Sequence, residues 1–568
     1  MFRSLLSESP SSAHDLTGGD SRTAEVEISA RTARDLELDL LVEQMVHPGA
    51  GAQNVRAILT RLPNDTNVIR YRQMISHDLW AHPGLCDRLA SLLESMRELT
   101  VFSRSAGRNE RPLLEAAWRL GELELYVSLV DELHDALSAF ALDSTGLLSL
   151  RDELGRRREE PAFVELRGAL PRLRSGIRLR RSVTIGVNLD ERLRPVAAAL
   201  LSVNDKQFEE AQFLKGFFSA AGRDPYVTQT PLHRTAPGSL LDTEGDERLP
   251  LSPLFQELED VLRSMLRPLA KELRAYVGLS TALFRSLLPE LGFYLGAIAF
   301  LRRVADAGRP ISFPDLHDPA ERRTAFHGLY NLYLAAHRMN AGDRTAIVTN
   351  DLVLDENARL FVLTGPNGGG KTTFTQAAGI AAVFAQSGLP VPAESAVISP
   401  VDAVVTHFPI EEDYNDDLGR FEDEVRRVSE IFDQVGEESL VLLNEPLSST
   451  GPKEAVEVAA DVLAGFRIAG ARGVFTTHLH QLADHVEQLN SAVTGSSCIG
   501  TLNAGVRAEG DRAVRTYRIT AGASEGSSYA GDIARRFGID LATLQDRIMH
   551  RSRERDGTPR DAPGYQRS

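Results

Sequence analysis

The run Thr364-Gly365-Pro366-Asn367-Gly368-Gly369-Gly370-Lys371-Thr372-Thr373 sets a lysine and two threonines directly behind a glycine-rich loop. Glycines let such a loop curl until its backbone N–H groups face inward, and an inward nest of N–H groups binds phosphate oxygens. The spacing is G-x-x-x-x-G-K-[ST], in which the lysine reaches a nucleotide's terminal phosphates and the next hydroxyl ligates Mg²⁺. Lys371 and Thr372 hold those positions, so residues 365–373 are expected to bind ATP with Mg²⁺. A glycine-rich turn that merely joins a strand to a helix is the alternative. The flanks suit the loop: Leu360-Phe361-Val362-Leu363 leads in as a strand, and Phe374, Ala377, Ala378, Ala381 and Ala385 follow at helical spacing.

A second constellation lies downstream. Ser439-Leu440-Val441-Leu442-Leu443-Asn444-Glu445 reads as a buried strand ending in two polar residues. Phosphate-loop ATPases usually end this strand in Asp-Glu, the Asp holding Mg²⁺ and the Glu polarising the attacking water. Glu445 retains the second role, as general base or water-positioner. Asn444 stands in the metal position, where its amide oxygen can accept from a metal-bound water but adds no negative charge. Weak Mg²⁺ binding and slow hydrolysis are the expectation. An ordinary strand ending in a turn is the competing reading.

Gly365-Pro366-Asn367 followed by Gly369-Gly370-Lys371 resembles the phosphate loop of the MutS DNA mismatch-repair ATPases, GPN-x-GGK-[ST]-T. The likeness extends to Val348-Thr349-Asn350-Asp351, Val391-Pro392-Ala393, Thr477-His478 and Ser528-Tyr529, in the family's order over about 346–535. It implies a homodimer with composite ATP sites and a clamp-like grip on DNA. It also implies that His478, ending the run Gly473-Val474-Phe475-Thr476-Thr477-His478, senses the γ-phosphate, and that Pro446 to Gly451 meets the partner subunit's nucleotide. His478-Leu479-His480 as a metal pair is the alternative. The family's trans signature, Ser-Thr-Phe, aligns with Gly419-Arg420-Phe421, so Gly419 would offer only its N–H and Arg420 a cation in place of the hydroxyls. A charged solvated helix is the bland reading of that stretch. The family's mismatch-reading domain, with its Phe-x-Glu, has no counterpart expected here; Phe208-Glu209-Glu210 matches the letters but sits in mid-chain beside a helical pattern.

These elements need a scaffold. From 346 onward, short apolar runs alternate with helical patterns, which signals an α/β parallel sheet. Before that the chain reads as helix after helix; Leu85, Leu89, Leu92, Leu93 and Met96 mark one such face. The expected fold class is a long all-α core and lever region followed by an α/β P-loop ATPase domain. The expected divisions are a loose tail at 1–25, a helical region at 26–340 with a clamp segment near 156–250, the ATPase at 341–550 and a polar tail at 551–568. An added nuclease domain is not expected.

The 568 residues carry a net charge of −16, which argues against indiscriminate coating of nucleic acid. No uncharged apolar run of 18 residues is evident, the N-terminus lacks a secretion signal, and Cys86 and Cys498 are the two cysteines, so a cytoplasmic protein without a membrane span is expected. Arg174, Arg178 and Arg181 share one helix face within an arginine-rich stretch, and they are the candidate DNA contacts. A solvated face paired with nearby glutamates explains the same arginines. Three functions follow: a DNA-binding clamp switched by ATP, a nucleotide-gated protein-interaction switch without DNA, and, ranked last, a nuclease-coupled suppressor of recombination.

Overall fold

The structure is a computed structural model that describes residues 4–7, 25–47, 51–105, 112–178, 182–189, 191, 195–204, 281–409, 419–509, 512–522 and 543–548. In chain order the elements are β1 (Glu25–Glu27), α1 (Ala30–Asp35), α2 (Leu38–Met45), α3 (Ala52–Leu59), β2 (Arg61–Pro63) and α4 (Thr66–Ala81). Then come α5 (Pro83–Ser105), α6 (Pro112–Ser138), α7 (Thr145–Glu159), α8 (Pro161–Arg178), β3 (Ser182–Leu189) and β4 (Pro195–Asn204). The rest runs α9 (Ala282–Asp306), β5 (Asp315–Leu316), β6 (Thr324–Leu329), α10 (Leu332–Asn340), β7 (Asn350–Leu354), β8 (Leu360–Thr364) and α11 (Lys371–Gln386). It ends with β9 (Ser395–Ile398), β10 (Val404–His407), α12 (Arg420–Phe432), β11 (Leu440–Asn444), α13 (Pro452–Ala469), β12 (Arg472–Thr476), α14 (His480–Asp484), α15 (Val486–Ala492), β13 (Ile499–Glu509) and β14 (Arg512–Ala521).

The chain divides into two compact units. One comprises residues 1–2, 83–142 and 147–288; the other comprises 3–82, 143–146 and 289–568. In the first, α6 packs against α5 and α8, and the apolar face of α5 (Leu85, Leu89, Leu92, Leu93, Met96) is buried. Tyr126 meets Phe163 and Phe284 edge-on, each at 5.9 Å. Strands β3 and β4 form an antiparallel hairpin.

The second unit is built on a six-stranded sheet in the order β10-β11-β12-β8-β13-β14, parallel except for the antiparallel β13–β14 pair. Strands β11 and β12 are buried along their whole length, β11 through the apolar run Leu440 to Leu443 that a parallel sheet favours. Helix α13 buries Ala455, Ala459, Val462, Leu463 and Phe466 against the sheet core. A four-stranded sheet, β5-β9-β6-β7, completes the unit.

The helical region before the ATPase domain carries, besides its helices, β1, β2, the β3–β4 hairpin, β5 and β6. The compact unit that holds the phosphate loop takes in 289–340, whose β6 pairs with β7 and β9, and also residues 3–82. One expectation requires correction. Residues 4–7 are not a loose tail. Leu5 is fully buried, its N–H donating to Glu290 Oε2 at 2.6 Å and its carbonyl accepting from Tyr294 Oη at 2.9 Å. Arg72 Nε donates to the Leu6 carbonyl at 2.9 Å, and Tyr71 Oη to that of Ser4 at 2.8 Å. The remaining tail residues up to 24, the stretch 205–280 and the 551–568 segment lie outside the described residues. Helix α9 is long and apolar enough to cross a membrane, but 72% of its most apolar window is buried inside the fold, so it serves as a core helix.

Helix α1 lies against β10, the edge strand. Thr406 Oγ1 donates to Asp35 Oδ2 at 2.6 Å, and Gln376 Nε2 on α11 donates to the Asp35 carbonyl at 2.9 Å. Beside Thr406, His407 is buried among Arg427, Glu424, Arg31 and Asp423, and desolvation chiefly pushes its pKa down to about 4. A histidine whose folded pKa is depressed binds fewer protons folded than unfolded below its ordinary value, so acid favours unfolding. Stability should therefore fall as pH drops from about 6.5 toward 4, by up to about 3 kcal/mol from this residue. Asp35, raised by burial, works in the opposite direction just above its ordinary value, so the informative quantity is a difference between proteins. His407→Phe should flatten the decline of denaturation free energy over that window; an unchanged slope would remove His407 as its source.

Candidate active site

Strand β8 ends at Thr364, and the chain then turns through Gly365 (φ +133°), Gly368 (φ +70°) and Gly370 (φ +94°) before α11 starts at Lys371. Those backbone angles favour glycine, which explains their places in the loop. The β13–β14 hairpin also lies against the loop. A side chain at Gly365 would meet Ala504, and one at Gly368 would meet the Arg515 guanidinium 2.8 Å away.

Lys371 is buried, and its Nζ donates to the carbonyls of Gly365 at 3.0 Å and Pro366 at 3.3 Å. Glu445 Oε1 lies 3.5 Å from the same ammonium. Burial lowers the Lys371 pKa, and the Glu445 charge partly opposes the shift. Thr372 Oγ1 donates to Asn444 Oδ1 at 3.1 Å, joining the two expected metal positions. Strand register brings them together: Asn444 pairs with Thr476 across β11–β12, and Thr476 with Leu363 across β12–β8.

A cavity of about 680 Å³ opens over the loop, lined among others by Asn367, Gly370, Lys371, Thr372, Thr373 and Glu445. Its size suits a small-molecule ligand. The fit to a triphosphate rests on this wall, which presents the loop's glycine backbone and one buried ammonium. Thr372 and Asn444 together supply two neutral oxygens, which suits Mg²⁺, an ion that keeps waters and takes the rest of its shell from phosphate.

Sequence reasoning missed the far wall. Tyr330, Asn331, Arg338, Ile347, Val348 and Tyr517 line it. Arg338 Nη1 donates to the carbonyls of Thr345 at 2.9 Å and Ala346 at 3.0 Å, fixing the segment before β7. Asn331 Nδ2 donates to the Thr373 carbonyl at 2.9 Å and to Gln376 at 2.8 Å. Tyr517 sits in left-handed backbone, φ +57°, held by Asn350, which donates to the Tyr517 carbonyl at 3.0 Å and accepts from Ile519 N–H at 2.7 Å. The Val-x-Asn-Asp run was the available signal, and it is Asn350 that pins the hairpin.

Other expected residues stand apart from the cavity. His478 is exposed just beyond β12 and is not in the wall. Among the described residues, no group of three His, Cys, Asp or Glu side chains is placed to hold a metal. Gly419 caps α12 through backbone alone and is exposed; the Arg420 side chain lies outside the described residues, as does 410–418. Arg174 lies 3.4 Å from Glu124, while the Arg178 side chain and Arg181 are outside the described residues. The neighbouring arginines are ion-paired: Arg156 and Arg157 with Glu153, Arg158 with Asp131 and Asp135, and Arg167 with Asp131.

The turn after β11 is strained. Glu445 (φ +50°) and Leu447 (φ +62°) are both left-handed without being glycine, at about 1–2 kcal/mol each. Such conformations persist only where their surroundings over-determine them. Here Glu445 N–H donates to the Thr476 carbonyl at 2.8 Å, and Leu447 is buried in the sheet core.

Comparison with known proteins agrees with this geometry. Residues 361–554 match MutS domain V, and residues 64–307 match the MutS2 N-terminal domain. The chain is 33% identical over 223 residues to Endonuclease MutS2 of Thermus thermophilus, an alignment covering 39% of this chain and 28% of the relative. It is 27% identical over 476 residues to Endonuclease MutS2 of Thermomicrobium roseum, covering 82% of this chain and 57% of the relative. A third, Endonuclease MutS2 of Listeria monocytogenes serotype 4a, is 28% identical over 306 residues, or 53% of this chain and 35% of the relative. The chain thus spans between about a quarter and somewhat over half of these relatives' lengths. With 64–307 and 361–554 both matched, the chain carries a MutS domain V ATPase domain preceded by a MutS2 N-terminal domain.

Proposed function

We propose that this protein is an ATP hydrolase in which nucleotide binding switches a dimeric grip on DNA, in repair or recombination control, within the cytoplasm. The observation that carries the ATPase reading is the convergence of Lys371, Thr372 and Glu445 on one cavity, with Asn444 hydrogen-bonded to Thr372. The loop N–H groups and Lys371 bind the phosphates. Thr372 and Asn444 hold Mg²⁺, which when bound offsets phosphate charge during transfer. Glu445 then leaves Lys371 and accepts a proton from the attacking water. Because Asn444 brings no charge, turnover is slow. His478 senses the γ-phosphate, while Gly419 and Arg420 complete the partner subunit's site. Arg174, Arg178 and Arg181 grip DNA phosphates.

A second reading has specific support. Arg156, Arg157, Arg158, Arg167 and Arg174 are already ion-paired with acidic neighbours, which favours a nucleotide-gated protein-interaction switch that does not use DNA.

Lys371→Ala should nearly abolish ATP binding, measured by titration with a fluorescent ATP analogue. Glu445→Gln should bind as before and lose single-turnover hydrolysis by roughly 10²–10⁴-fold. Wild-type affinity in the first or an unchanged rate in the second would defeat the assignment.

Asn444→Asp should tighten Mg²⁺ and raise turnover, since a full negative charge is restored beside the metal. Mg²⁺ titrations at fixed ATP compare the two proteins, and a weaker metal affinity in the variant counts against the metal role of this position.

Replacing Arg174, Arg178 and Arg181 with Gln should weaken binding to matched and mismatched duplexes alike. The log–log salt slope should fall by up to about 0.9 for each DNA phosphate that is no longer neutralised. If the triple variant binds like the parent, the cluster is a solvated, ion-paired face; if the parent binds no DNA at low salt, the protein-switch reading takes over.

A further inference from the structure

The strained turn that carries Glu445 is restrained at its far end by a residue to which the ATPase reading gives no role. Glu424, on α12, accepts from the Ser449 hydroxyl at 2.6 Å and from Ser449 N–H at 3.3 Å with Oε2, and from the Ser448 hydroxyl at 3.3 Å with Oε1. One carboxylate thus grips two consecutive residues directly after Leu447. The turn is fixed at three points: the Glu445 N–H on Thr476, the buried Leu447 side chain, and this carboxylate. Two of the three belong to the sheet core, to which α12 contributes Val428 and Ile431. The third is a hydrogen-bonded tie from the turn to a side chain of α12.

We infer that Glu424 is a positioning residue for hydrolysis, holding the 445–449 turn so that the Glu445 carboxylate faces the cavity. The inference rests on Glu445 being the water-positioning group. Without Glu424, the left-handed residues at 445 and 447 lose one of the constraints that keep them there. The turn relaxes toward ordinary backbone angles, and the Glu445 side chain swings off its line. Lys371 and the glycine loop stand on β8 and α11, so the phosphate-binding half of the site stays in place. The signature of this arrangement is a fall in rate without a fall in affinity.

The test measures single-turnover ATP hydrolysis and fluorescent-ATP affinity for the full chain carrying E424A, S449A, the two together, E445Q, or D423N. Asp423 is on the same helix but pairs with Arg426 and Arg427, so D423N disturbs α12 without touching the grip on the turn. E424A should lower the hydrolysis rate at least tenfold, with ATP affinity within twofold of wild type. S449A should lower the rate less, and in the E424A background it should add little, because both remove the same interaction. D423N should keep the wild-type rate. An E424A rate within twofold of wild type, while E445Q abolishes hydrolysis, overturns the inference and leaves the ATPase reading standing. Parallel losses of rate and affinity in E424A, or an equal loss in D423N, reduce Glu424 to a merely structural residue. Equal rates in wild type and E445Q overturn both.

Discussion

The lateral register of three parallel strands determines whether this site exists. Strands β11, β12 and β8 end side by side because Asn444 pairs with Thr476 and Thr476 with Leu363. The glycine-rich loop leaves β8 one residue later, and Asn444 and Glu445 leave β11 at the same level. A slip of one residue would turn every side chain of a strand to the opposite face, and with it the apolar set that specifies the pairing. The core that fixes the fold therefore fixes the site. Val441, Leu443 and Phe475 are buried in the same cluster whose strands end at Asn444 and Thr476.

Within that frame, charge decides the state of the site. Lys371 is buried and bonded to two loop carbonyls, with Glu445 as its nearest opposite charge. A buried ammonium needs such a partner, because desolvation alone disfavours its charged form. Phosphate oxygens are stronger partners than loop carbonyls and carry more charge than one carboxylate. In the function proposed above, their arrival would draw Lys371 away and free Glu445. The same residue pair would then stabilise the site before nucleotide binds and release a base afterwards. The other cation among the described lining residues, Arg338, is bonded to the carbonyls of Thr345 and Ala346.

What could be read from the sequence depended on how local the determining interaction was. Strands β8 and β11 stood out as apolar runs, and α11 as a face at helical spacing, because each pattern is set within its own segment. The loop residues were legible for the same reason. Leu5 was not: its partners Glu290 and Tyr294 lie some 285 positions away, and nothing near a serine-rich terminus signals them. The β3 segment did carry a signal, Val183, Ile185 and Val187 in alternation, that the surrounding helices obscured. Tyr517 reaches the cavity only because β13 pairs with β8 and the hairpin then folds back over the loop. A strand-order fact of that kind has no local sequence signature.

Where the chain divides into its two compact units had no local signature either, because each is assembled from segments distant in sequence. The helical unit is not a separate N-terminal block but an excursion from the ATPase unit, with crossings at 82–83, 142–143, 146–147 and 288–289. The short return at 143–146 is pinned within the ATPase unit. The Asp78 carboxylate on α4 accepts from the N–H groups of Asp143 at 3.1 Å and Ser144 at 2.9 Å, and Gly146 fits beneath Ile75 and Tyr71. Tyr71 and its neighbour Arg72 in turn hold the Ser4 and Leu6 carbonyls. Helix α4 therefore joins the chain's N-terminal residues and the midpoint of the helical excursion.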